Sequence, residues 1–271
     1  MERSELLPIT KSRLIEDFEK LGVAEGQTVM LHASVKAIGW VVGGPDVIIQ
    51  ALLDVLGSSG TLMMYVGWED APYNLVEWSK DLQQAYLEEC PAFNPATSRA
   101  HRKWSILTEY LRTWPSAFRS SHPDASFAAV GALARWITED HPLQYGYGLG
   151  SPLAKLCEVK GKVLLVGAPF SSITLLHYAE HVAKVPDKRI VHYKMPILCD
   201  GQKMWVEIEE FDTCGGVLSG SEEYFSIIPR EYLSSRRGCV GKVGAAESYL
   251  LDSAEFVKFA VKWLEKRFGT H

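Results

Sequence analysis

The segment SITLLHYAEHVAKVP, residues 172–186, places two imidazoles and a carboxylate at His177, Glu180 and His181, in the spacing H-x-x-E-H. Residues three or four positions apart are neighbours on a helix surface, so the three side chains would share one face. Such a face could bind zinc through both imidazoles, or it could orient one imidazole as a general base. It could also be a solvated polar face, so the spacing alone leaves three hypotheses open.

Zinc binding is the least favoured of these hypotheses. The H-x-x-E-H pattern of the inverted zincin proteases requires a third protein ligand farther along the chain. After Pro186 the sequence leads directly into a predicted strand, and no helical acidic ligand follows at a suitable spacing. A general base at His177 needs only Glu180, one turn later, to orient its ring.

Polar residues also follow a predicted strand, TVMLHASV, at His32 and Ser34. The stretch HASVKAIG lacks the G-x-S-x-G spacing of a hydrolase nucleophile. A turn at a strand end does leave backbone N–H groups free for an oxyanion or for an amide of a pantetheine chain. His32 is equally compatible with a core histidine bonded to backbone.

The stretch FRSSHPDASFAAVG places Arg119, His122 and Asp124 around a proline turn. A polar loop explains this composition, and Arg119 is otherwise a candidate for contact with a phosphate or pantetheine group. No phosphate loop of the form G-x-x-x-x-G-K-S/T is present. GYGLGS does not follow a predicted strand, as a dinucleotide-binding motif would.

Composition and charge exclude further classes of protein. The chain has 271 residues, a formal net charge of −5 and no basic stripe, so nucleic acid is not expected as a partner. No apolar run approaches the roughly 20 residues that span a bilayer, so no membrane partner is expected. Five scattered cysteines without C-x-x-C spacing predict free thiols and a cytoplasmic location.

Acidic residues concentrate near residues 69–89 and 207–212. They could be a solvated surface that keeps the protein in solution. They could equally form a negative basin that attracts a cationic small molecule.

The elements that must position these residues alternate between strands and helices over the first 185 residues. Buried strands are predicted at TVMLHASV, GTLMMYVGW and KVLLVGAPF. Helices are predicted from Thr10 to Leu21, from Pro45 to Gly57 and over residues 97–114. The helix of His177 is expected to be capped by Ser171 or Ser172. The pattern predicts one α/β domain over residues 1–271, with a largely parallel sheet and helices on both faces.

Two further features complete the predicted domain. A hairpin is expected around Asp200 and Gly201, and a terminal helix over residues 252–268. Residues 69–96 are too long and irregular for a plain connection, so they predict a substrate-binding insertion. Ligands of an open α/β sheet bind at the carboxyl ends of its strands, where residues 32–34, 65–70 and 168–172 would converge.

Five segments, in this order along the chain, resemble the aminoglycoside 3-N-acetyltransferases: LHASVKAIG, GTLMMY with WEDAPY, RSSHPDASFAAVG, LLVGAPFSSITLLHYAE and RGCVGKVGAAESYLLD. The match runs from residue 9 to residue 268. It implies an α/β/α layered fold distinct from the GNAT acetyltransferases. It also implies transfer of acetyl from acetyl-CoA to the 3-amino group of a deoxystreptamine aminoglycoside, which confers antibiotic resistance. WEDAPY departs from the W-D-R-S-P-Y of relatives, which leaves substrate preference open.

The resemblance also implies the roles of individual residues. The family motif T-x-L-H-x-x-E falls on Thr174, Leu176, His177 and Glu180, with His177 as the base and no metal required. His181 lies outside the motif, so its zinc-like spacing is interpreted as accidental. Contacts with acetyl-CoA are expected from His32, Ser34, Val35, Lys36, Ala37, Gly39, Arg119, Ser121 and Ser126, and contacts with the cationic aminoglycoside from Tyr65, Glu69, Asp70, Glu210 and Asp212.

Backbone N–H groups near Ser34 and Val35 are expected to hold the oxyanion, with His32 beside them. Two other classes of function stay open. One is a zinc hydrolase that uses His177 and His181, and the other is a non-catalytic protein that binds polyamines or aminoglycosides. A homodimer is also compatible with the sequence.

Overall fold

The computed structural model describes residues 8–73, 75–218 and 223–269. The helices are α1 (Lys11–Leu21), α2 (Val35–Ile38), α3 (Asp46–Leu56), α4 (Lys80–Glu89), α5 (Ile106–Arg112), α6 (Ala134–Thr138), α7 (Pro152–Glu158), α8 (Leu175–Val182), α9 (Tyr224–Ser234) and α10 (Ser253–Phe268). The strands are β1 (Thr28–Ala33), β2 (Thr61–Tyr65), β3 (Phe118–Arg119), β4 (Phe127–Gly131), β5 (Lys162–Val166), β6 (Ile190–Cys199), β7 (Gln202–Phe211), β8 (Cys239–Val243) and β9 (Ala246–Asp252).

A seven-stranded sheet in the order β3-β4-β2-β1-β5-β9-β8 forms the centre of the molecule. β1 pairs in parallel with β2 and with β5. β4 and β9 run antiparallel to their neighbours on both sides. Strands β1, β2, β3, β5 and β8 therefore point one way, and only β4 and β9 point the other. The mostly parallel central sheet is confirmed, with two reversed strands that the sequence analysis does not predict.

Both faces of the sheet are buried under helices, as predicted. Successive side chains of a strand point to opposite faces. Accordingly, Val29 and Leu31 of β1 pack in one apolar cluster with α1, α3 and α5, whereas Met30 packs in a second cluster with α6, α7, α8 and α10. His32 has the same parity as Met30. It therefore faces the layer that contains α8.

One predicted helix is wrong in its extent. Residues 97–105 are not helical, and α5 begins only at Ile106, after Ser105 caps it by accepting the N–H of Leu107. The preceding loop folds back onto α5, because the Glu109 carboxylate accepts the N–H of Ala100 at 2.8 Å. Tertiary hydrogen bonds of this kind override local helix propensity.

The insertion at residues 69–96 contains α4 and packs on the hairpin formed by β6 and β7. These two strands pair antiparallel across Asp200 and Gly201, which both have positive φ, as a two-residue hairpin turn requires. Lys203 Nζ donates to the carbonyl of Glu88 at 2.6 Å, and Trp205 Nε1 to that of Leu87 at 3.1 Å. The hairpin thus supplies donors to the carbonyls at the end of α4, which lack partners within the helix.

Across the described ranges, no helix has the length and apolar character needed to cross a membrane.

Candidate active site

Helix α8 carries His177, Glu180 and His181. It begins after Thr174, whose side chain makes no capping hydrogen bond. The predicted caps, Ser171 and Ser172, are wrong because both lie in a short 3₁₀ turn over Phe170–Ser172. Ser172 Oγ donates to the carbonyl of Pro169 at 2.7 Å instead. The helix packs inward through Leu175, Leu176 and Ala179.

The polar face of α8 is not solvated. The exposed fraction of the side chain is 18% at His177 and 1% at Glu180, and it is 4% at His181. His177 Nδ1 lies 2.7 Å from Glu180 Oε2, and the hydroxyl of Tyr224 donates to the other oxygen of the same carboxylate. Because a carboxylate accepts, Nδ1 carries the hydrogen and Nε2 keeps its lone pair. No residue in the described part of the chain bonds Nε2. In its neutral form, the ring of His177 therefore has Nε2 free to accept a proton.

An aromatic wall surrounds His177. The rings of Tyr147 and Phe225 lie 5.1 and 4.9 Å from its ring, measured between centroids. The hydroxyl of Tyr147 donates to that of Tyr65 at 3.1 Å, and Tyr65 donates to the carbonyl of Asp124 at 3.4 Å. Burial raises the pKa of Tyr65, so its hydroxyl stays protonated. Tyr147 thus lies between His177 and Tyr65, one of the predicted substrate residues.

Asp124, which the sequence pattern does not predict as a ligand group, lies beside Tyr65, whose hydroxyl donates to its backbone carbonyl. Its Oδ2 accepts the hydroxyl of Tyr193 at 3.1 Å. Burial, with a smaller effect of the Glu210 carboxylate, raises the pKa of Asp124 to about 6, while Tyr193 and His177 act in the opposite direction. Asp124 is therefore within electrostatic range of both His177 and Glu210.

The orientation of β4 explains why the sequence pattern does not identify Asp124 as a ligand group. The rule that ligands bind at the carboxyl ends of strands suits a sheet whose strands are all parallel. Because β4 runs antiparallel to β2, with Phe127 opposite Tyr65, its amino end lies at the functional edge. Asp124 precedes that end. The motif HPDAS directly before an apolar strand was the available signal.

Glu210 is the predicted substrate residue best placed for a ligand. It is buried, and Oε1 accepts the N–H of Phe211 at 2.8 Å. Its other oxygen, Oε2, is buried with no hydrogen-bond partner among the residues described. Asp212, also buried, is engaged by Arg189 at 2.7 Å and by the N–H of Gly215 at 2.6 Å.

The two carboxylates at the start of the insertion differ from this pattern. Glu69 Oε1 lies 2.6 Å from Arg102 Nε, and Oε2 accepts the N–H of Arg102 at 2.7 Å. These bonds and the charge of Arg102 outweigh burial and lower the pKa of Glu69. Asp70 is exposed, and its carbonyl accepts the hydroxyl of Tyr86. Glu69 is thus engaged by protein groups, whereas Asp70 is open to solvent.

The turn after β1 provides part of the predicted cofactor contacts. Ser34 Oγ caps α2 by accepting the N–H of Ala37 at 3.4 Å. The N–H of Ser34 donates to the carbonyl of Val166 at 2.9 Å, so it is not available to an oxyanion, contrary to expectation. Within the described ranges, the N–H groups of Val35 and Lys36 have no acceptor. Lys36 and Gly39 are exposed at the surface.

His32 lies beside this turn with an unused donor or acceptor. Its Nε2 is buried and has no hydrogen-bond partner in the part of the chain that the structure describes. Burial lowers the pKa of His32 to about 4, so its ring is neutral at pH 7. A neutral imidazole with an unpaired buried nitrogen fits a polar group of a bound molecule.

Arg119 and Ser126, two predicted cofactor contacts, are directed into the protein. The Arg119 guanidinium donates to the carbonyls of Ser98 and Gly67 and, at 3.1 Å, to Ser126 Oγ. Burial lowers the pKa of Arg119 to about 9. Ser126 Oγ itself donates to the carbonyl of Gly67 at 3.2 Å. The arrangement favours a structural role for both side chains. Ser121 is exposed.

The zinc hypothesis does not fit the geometry of α8. His181 Nδ1 lies 2.7 Å from the carbonyl of His177, and Nε2 lies 2.7 Å from Glu210 Oε1. Both ring nitrogens are therefore engaged by protein oxygens, and only His177 Nε2 is left for a metal. Over the described residues, no three histidine, cysteine, aspartate or glutamate side chains converge as metal ligands.

Comparison with known proteins agrees with the geometry of the site. The family model described as aminoglycoside 3-N-acetyltransferase matches residues 30–265. The aminoglycoside N(3)-acetyltransferase III of Pseudomonas aeruginosa is 50% identical over 264 residues, which cover 97% of this chain and 96% of that protein.

Two solved structures with bound molecules are similar over almost the same extent. AAC-IIIb in a binary complex with CoASH has a TM-score of 0.92 and 45% identity, covering 98% of this chain and 99% of that one. AAC-VIa bound to sisomicin has a TM-score of 0.90 and 35% identity, covering 97% and 100%. With the family model, the close relative and both structures matching nearly the whole chain, the protein belongs to the aminoglycoside 3-N-acetyltransferase family.

Proposed function

We propose that His177 is the general base of an acetyl transfer from acetyl-CoA to the 3-amino group of a deoxystreptamine aminoglycoside. The observation that carries the proposal is the Nδ1 bond to Glu180, which leaves the Nε2 lone pair open toward the site. His177 Nε2 accepts the amine proton as the new C–N bond forms and the C–S bond of the thioester breaks. The same proton can then pass to the departing thiolate.

Glu180 stabilises the positive charge that develops on the His177 ring. Its carboxylate is buried and keeps the ring in the tautomer that can accept a proton. The Tyr224 hydroxyl bonds the second carboxylate oxygen and so fixes the orientation of the pair. Thr174, at the start of α8, accepts the His177 N–H through its carbonyl at 3.0 Å and supports the first turn.

The turn after β1 fits the acetyl thioester and the chain attached to it. The N–H groups of Val35 and Lys36 would donate to the carbonyl oxygen as negative charge develops there. The unpaired Nε2 of His32 lies beside the same turn. Residues 34–39 would continue the contact along the pantetheine group. A CoASH-bound relative with 45% identity supports this assignment.

Asp124 and Glu210 would bind ammonium groups of the aminoglycoside. Asp124 is partly buried and Glu210 is buried, and Glu210 Oε2 has no protein partner among the described residues. Tyr65 would pack its ring against the drug. Asp212, which is paired with Arg189, would lie beside Glu210 in the same site. The insertion at residues 69–96, with Asp70 exposed on it, would form the rim. A sisomicin-bound relative supports this pocket for a cationic drug.

The experiment that tests the function is thiol release from acetyl-CoA with a panel of aminoglycosides and small amines. We expect release with gentamicin, tobramycin or sisomicin, and NMR of the product should locate the new acetyl group on the 3-amino nitrogen. Binding of aminoglycosides without thiol release would instead favour the non-catalytic binding protein. Activity in the cytoplasm, where the unpaired cysteines would stay reduced, would confer antibiotic resistance.

A further inference from the structure

His181 links the helix of the proposed base to the hairpin that carries Glu210. One ring nitrogen, Nδ1, bonds the backbone carbonyl of His177, and the other, Nε2, bonds Glu210 Oε1, both at 2.7 Å. Only 4% of the His181 side chain and 1% of the Glu210 side chain are exposed. A buried imidazole therefore bridges two elements that are distant in the sequence.

The contacts constrain the hydrogen atoms of this bridge. A carbonyl oxygen can only accept, so His181 Nδ1 must carry a hydrogen. Glu210 Oε1 also accepts the N–H of Phe211 at 2.8 Å. With Glu210 ionised, both ring nitrogens of His181 donate to protein oxygens. Such charge-assisted hydrogen bonds are about twice as strong as neutral ones.

The two oxygens of Glu210 consequently have different environments. Oε1 is held by His181 and by the backbone, whereas Oε2 is buried without a partner in the described part of the protein. A buried carboxylate oxygen with no donor destabilises the structure unless a ligand provides one. Asp124 is near the same hairpin, because its Oδ2 accepts the hydroxyl of Tyr193 from β6, the strand paired with that of Glu210. The free oxygen is thus available to a cation in the proposed substrate site.

The ring of His181 is also confined sterically. A Cβ atom added at Gly148 would lie 2.9 Å from His181 Cδ2, closer than real contacts allow. The rings of Phe211 and Tyr145 meet His181 edge-on, at 4.8 and 6.2 Å between centroids. The glycine-rich stretch LQYGYGLGSP therefore makes room for an imidazole.

We infer that His181 is a positioning residue for substrate binding, which holds Oε1 of Glu210 so that Oε2 is presented to an ammonium group of the aminoglycoside. The inference rests on the proposed function of this pocket. It replaces the interpretation of His181 as an accidental neighbour of the catalytic motif. His181 acts through Glu210 and does not itself touch the reacting atoms.

Two substitutions separate the two hydrogen bonds of the ring. The amide nitrogen of glutamine can take the place of Nε2, and that of asparagine the place of Nδ1. His181→Gln therefore keeps a donor to Glu210, whereas His181→Asn keeps only the donor to the His177 carbonyl. We expect His181→Asn to raise KM for gentamicin by about tenfold or more, the loss expected for a hydrogen bond to a charged group. His181→Gln should raise it by less than about threefold.

The readout is the split between kinetic constants in the thiol-release assay. In His181→Asn, which keeps the donor to the His177 carbonyl, kcat and the KM for acetyl-CoA should stay within about twofold of wild type, because only ground-state binding of the drug is altered. In a Glu210→Gln background His181→Asn should add little, since both changes act on one contact. Gly148→Ala displaces the His181 ring without changing the residue itself, so it should also raise the KM for gentamicin. This variant replaces His181→Asn in the test if the asparagine variant does not fold.

Several results would overturn the inference. The asparagine and glutamine variants could bind gentamicin equally, or the effect of His181→Asn could persist in full in the Glu210→Gln background. Recovery of activity on adding zinc would make His181 a metal ligand instead. These outcomes differ from failure of the proposed function, in which the wild-type protein itself releases no thiol with any aminoglycoside.

Discussion

The hydrogen bond between His177 and Glu180 determines which nitrogen of the imidazole can accept a proton. A carboxylate at Nδ1 holds the hydrogen there and stabilises the imidazolium that forms when Nε2 takes the amine proton. The pairing was predictable from sequence because it joins residues three apart on one helix. Tyr224, which completes it, comes from α9 and could not be recognised without the fold.

Glu180→Gln tests this pairing. An amide group that keeps its carbonyl toward Tyr224 presents its NH₂ to His177 Nδ1, which favours the tautomer that cannot accept a proton at Nε2. We expect turnover to fall, because a neutral amide no longer stabilises the imidazolium that forms during proton transfer. Tyr224→Phe, which leaves the carboxylate in place, is the matched control and should lose less activity. Turnover equal to that of wild type in Glu180→Gln would contradict the pairing.

Asp124→Asn tests the partly buried acid of the proposed drug site. Burial raises the pKa of Asp124 to about 6, so the group is neutral below that pH and negative above it. KM for a fully protonated aminoglycoside should therefore rise as the pH falls through about 6 in the wild-type enzyme. In Asp124→Asn, KM should be high throughout and lose this dependence. The surface variant Glu16→Gln is the control. Identical KM profiles in all three proteins would exclude Asp124 from the site.

The raised pKa of Asp124 also predicts how the stability of the protein depends on pH. The sign is opposite to that of an acid whose pKa is lowered in the native state. Because the native state holds the Asp124 proton more tightly than the unfolded state, the group lowers the free energy of unfolding as the pH rises from about 4 to about 6. Asp124→Asn should remove this part of the pH dependence in urea unfolding. A steeper decline in the variant than in wild type would contradict a partly buried, protonated Asp124.

At the scale of elements, alternating strands and helices were predictable, whereas strand direction was not. The apolar runs of β1, β2 and β5 fill both faces of the sheet, and that composition is visible in the sequence. β8 is an exposed edge strand with the weak sequence CVGKV, so local pattern does not reveal it. The reversal of β4 decides where Asp124 lies, and pairing partners cannot be read from one strand alone.

The hairpin and the insertion should act as one unit at the rim of the site. Lys203 Nζ bonds the carbonyls of Glu88 and Cys90, so Lys203→Met should loosen the end of α4. We expect faster amide exchange over residues 80–90 and a higher KM for aminoglycosides, with the KM for acetyl-CoA unchanged. Lys194→Met, the same change at an exposed position of the hairpin, is the control. Equal exchange in both variants would show that this contact does not hold the insertion.

At the scale of the whole molecule, Arg119 joins three segments that are distant in the sequence. Its guanidinium bonds the carbonyl of Gly67 after β2, that of Ser98 after the insertion, and Ser126 before β4. These contacts support the edge of the sheet where the drug and the thioester would meet. From its motif alone, Arg119 is a candidate for a phosphate contact. Its burial depends on the fold and cannot be read from the motif.

Arg119→Met should therefore reduce stability. The Ser98 carbonyl would lose its donor, whereas the Gly67 carbonyl keeps the Ser126 hydroxyl, so the free energy of unfolding in urea should fall by about 1–3 kcal/mol. Arg102→Met is the control, because the Arg102 side chain is 80% exposed and its surface ion pair contributes at most about 1 kcal/mol. Unchanged stability together with a raised KM for acetyl-CoA would return Arg119 to the cofactor site.

His177→Ala tests most directly whether His177 is the base of acetyl transfer. The measurement is the rate of thiol release with gentamicin, together with the Kd for acetyl-CoA by calorimetry. Turnover should fall by about 10²–10⁴-fold, the loss typical of a missing general base, while acetyl-CoA binds as in wild type. A variant that kept more than about a tenth of wild-type turnover would contradict this role of His177, because proton transfer would then depend on another group.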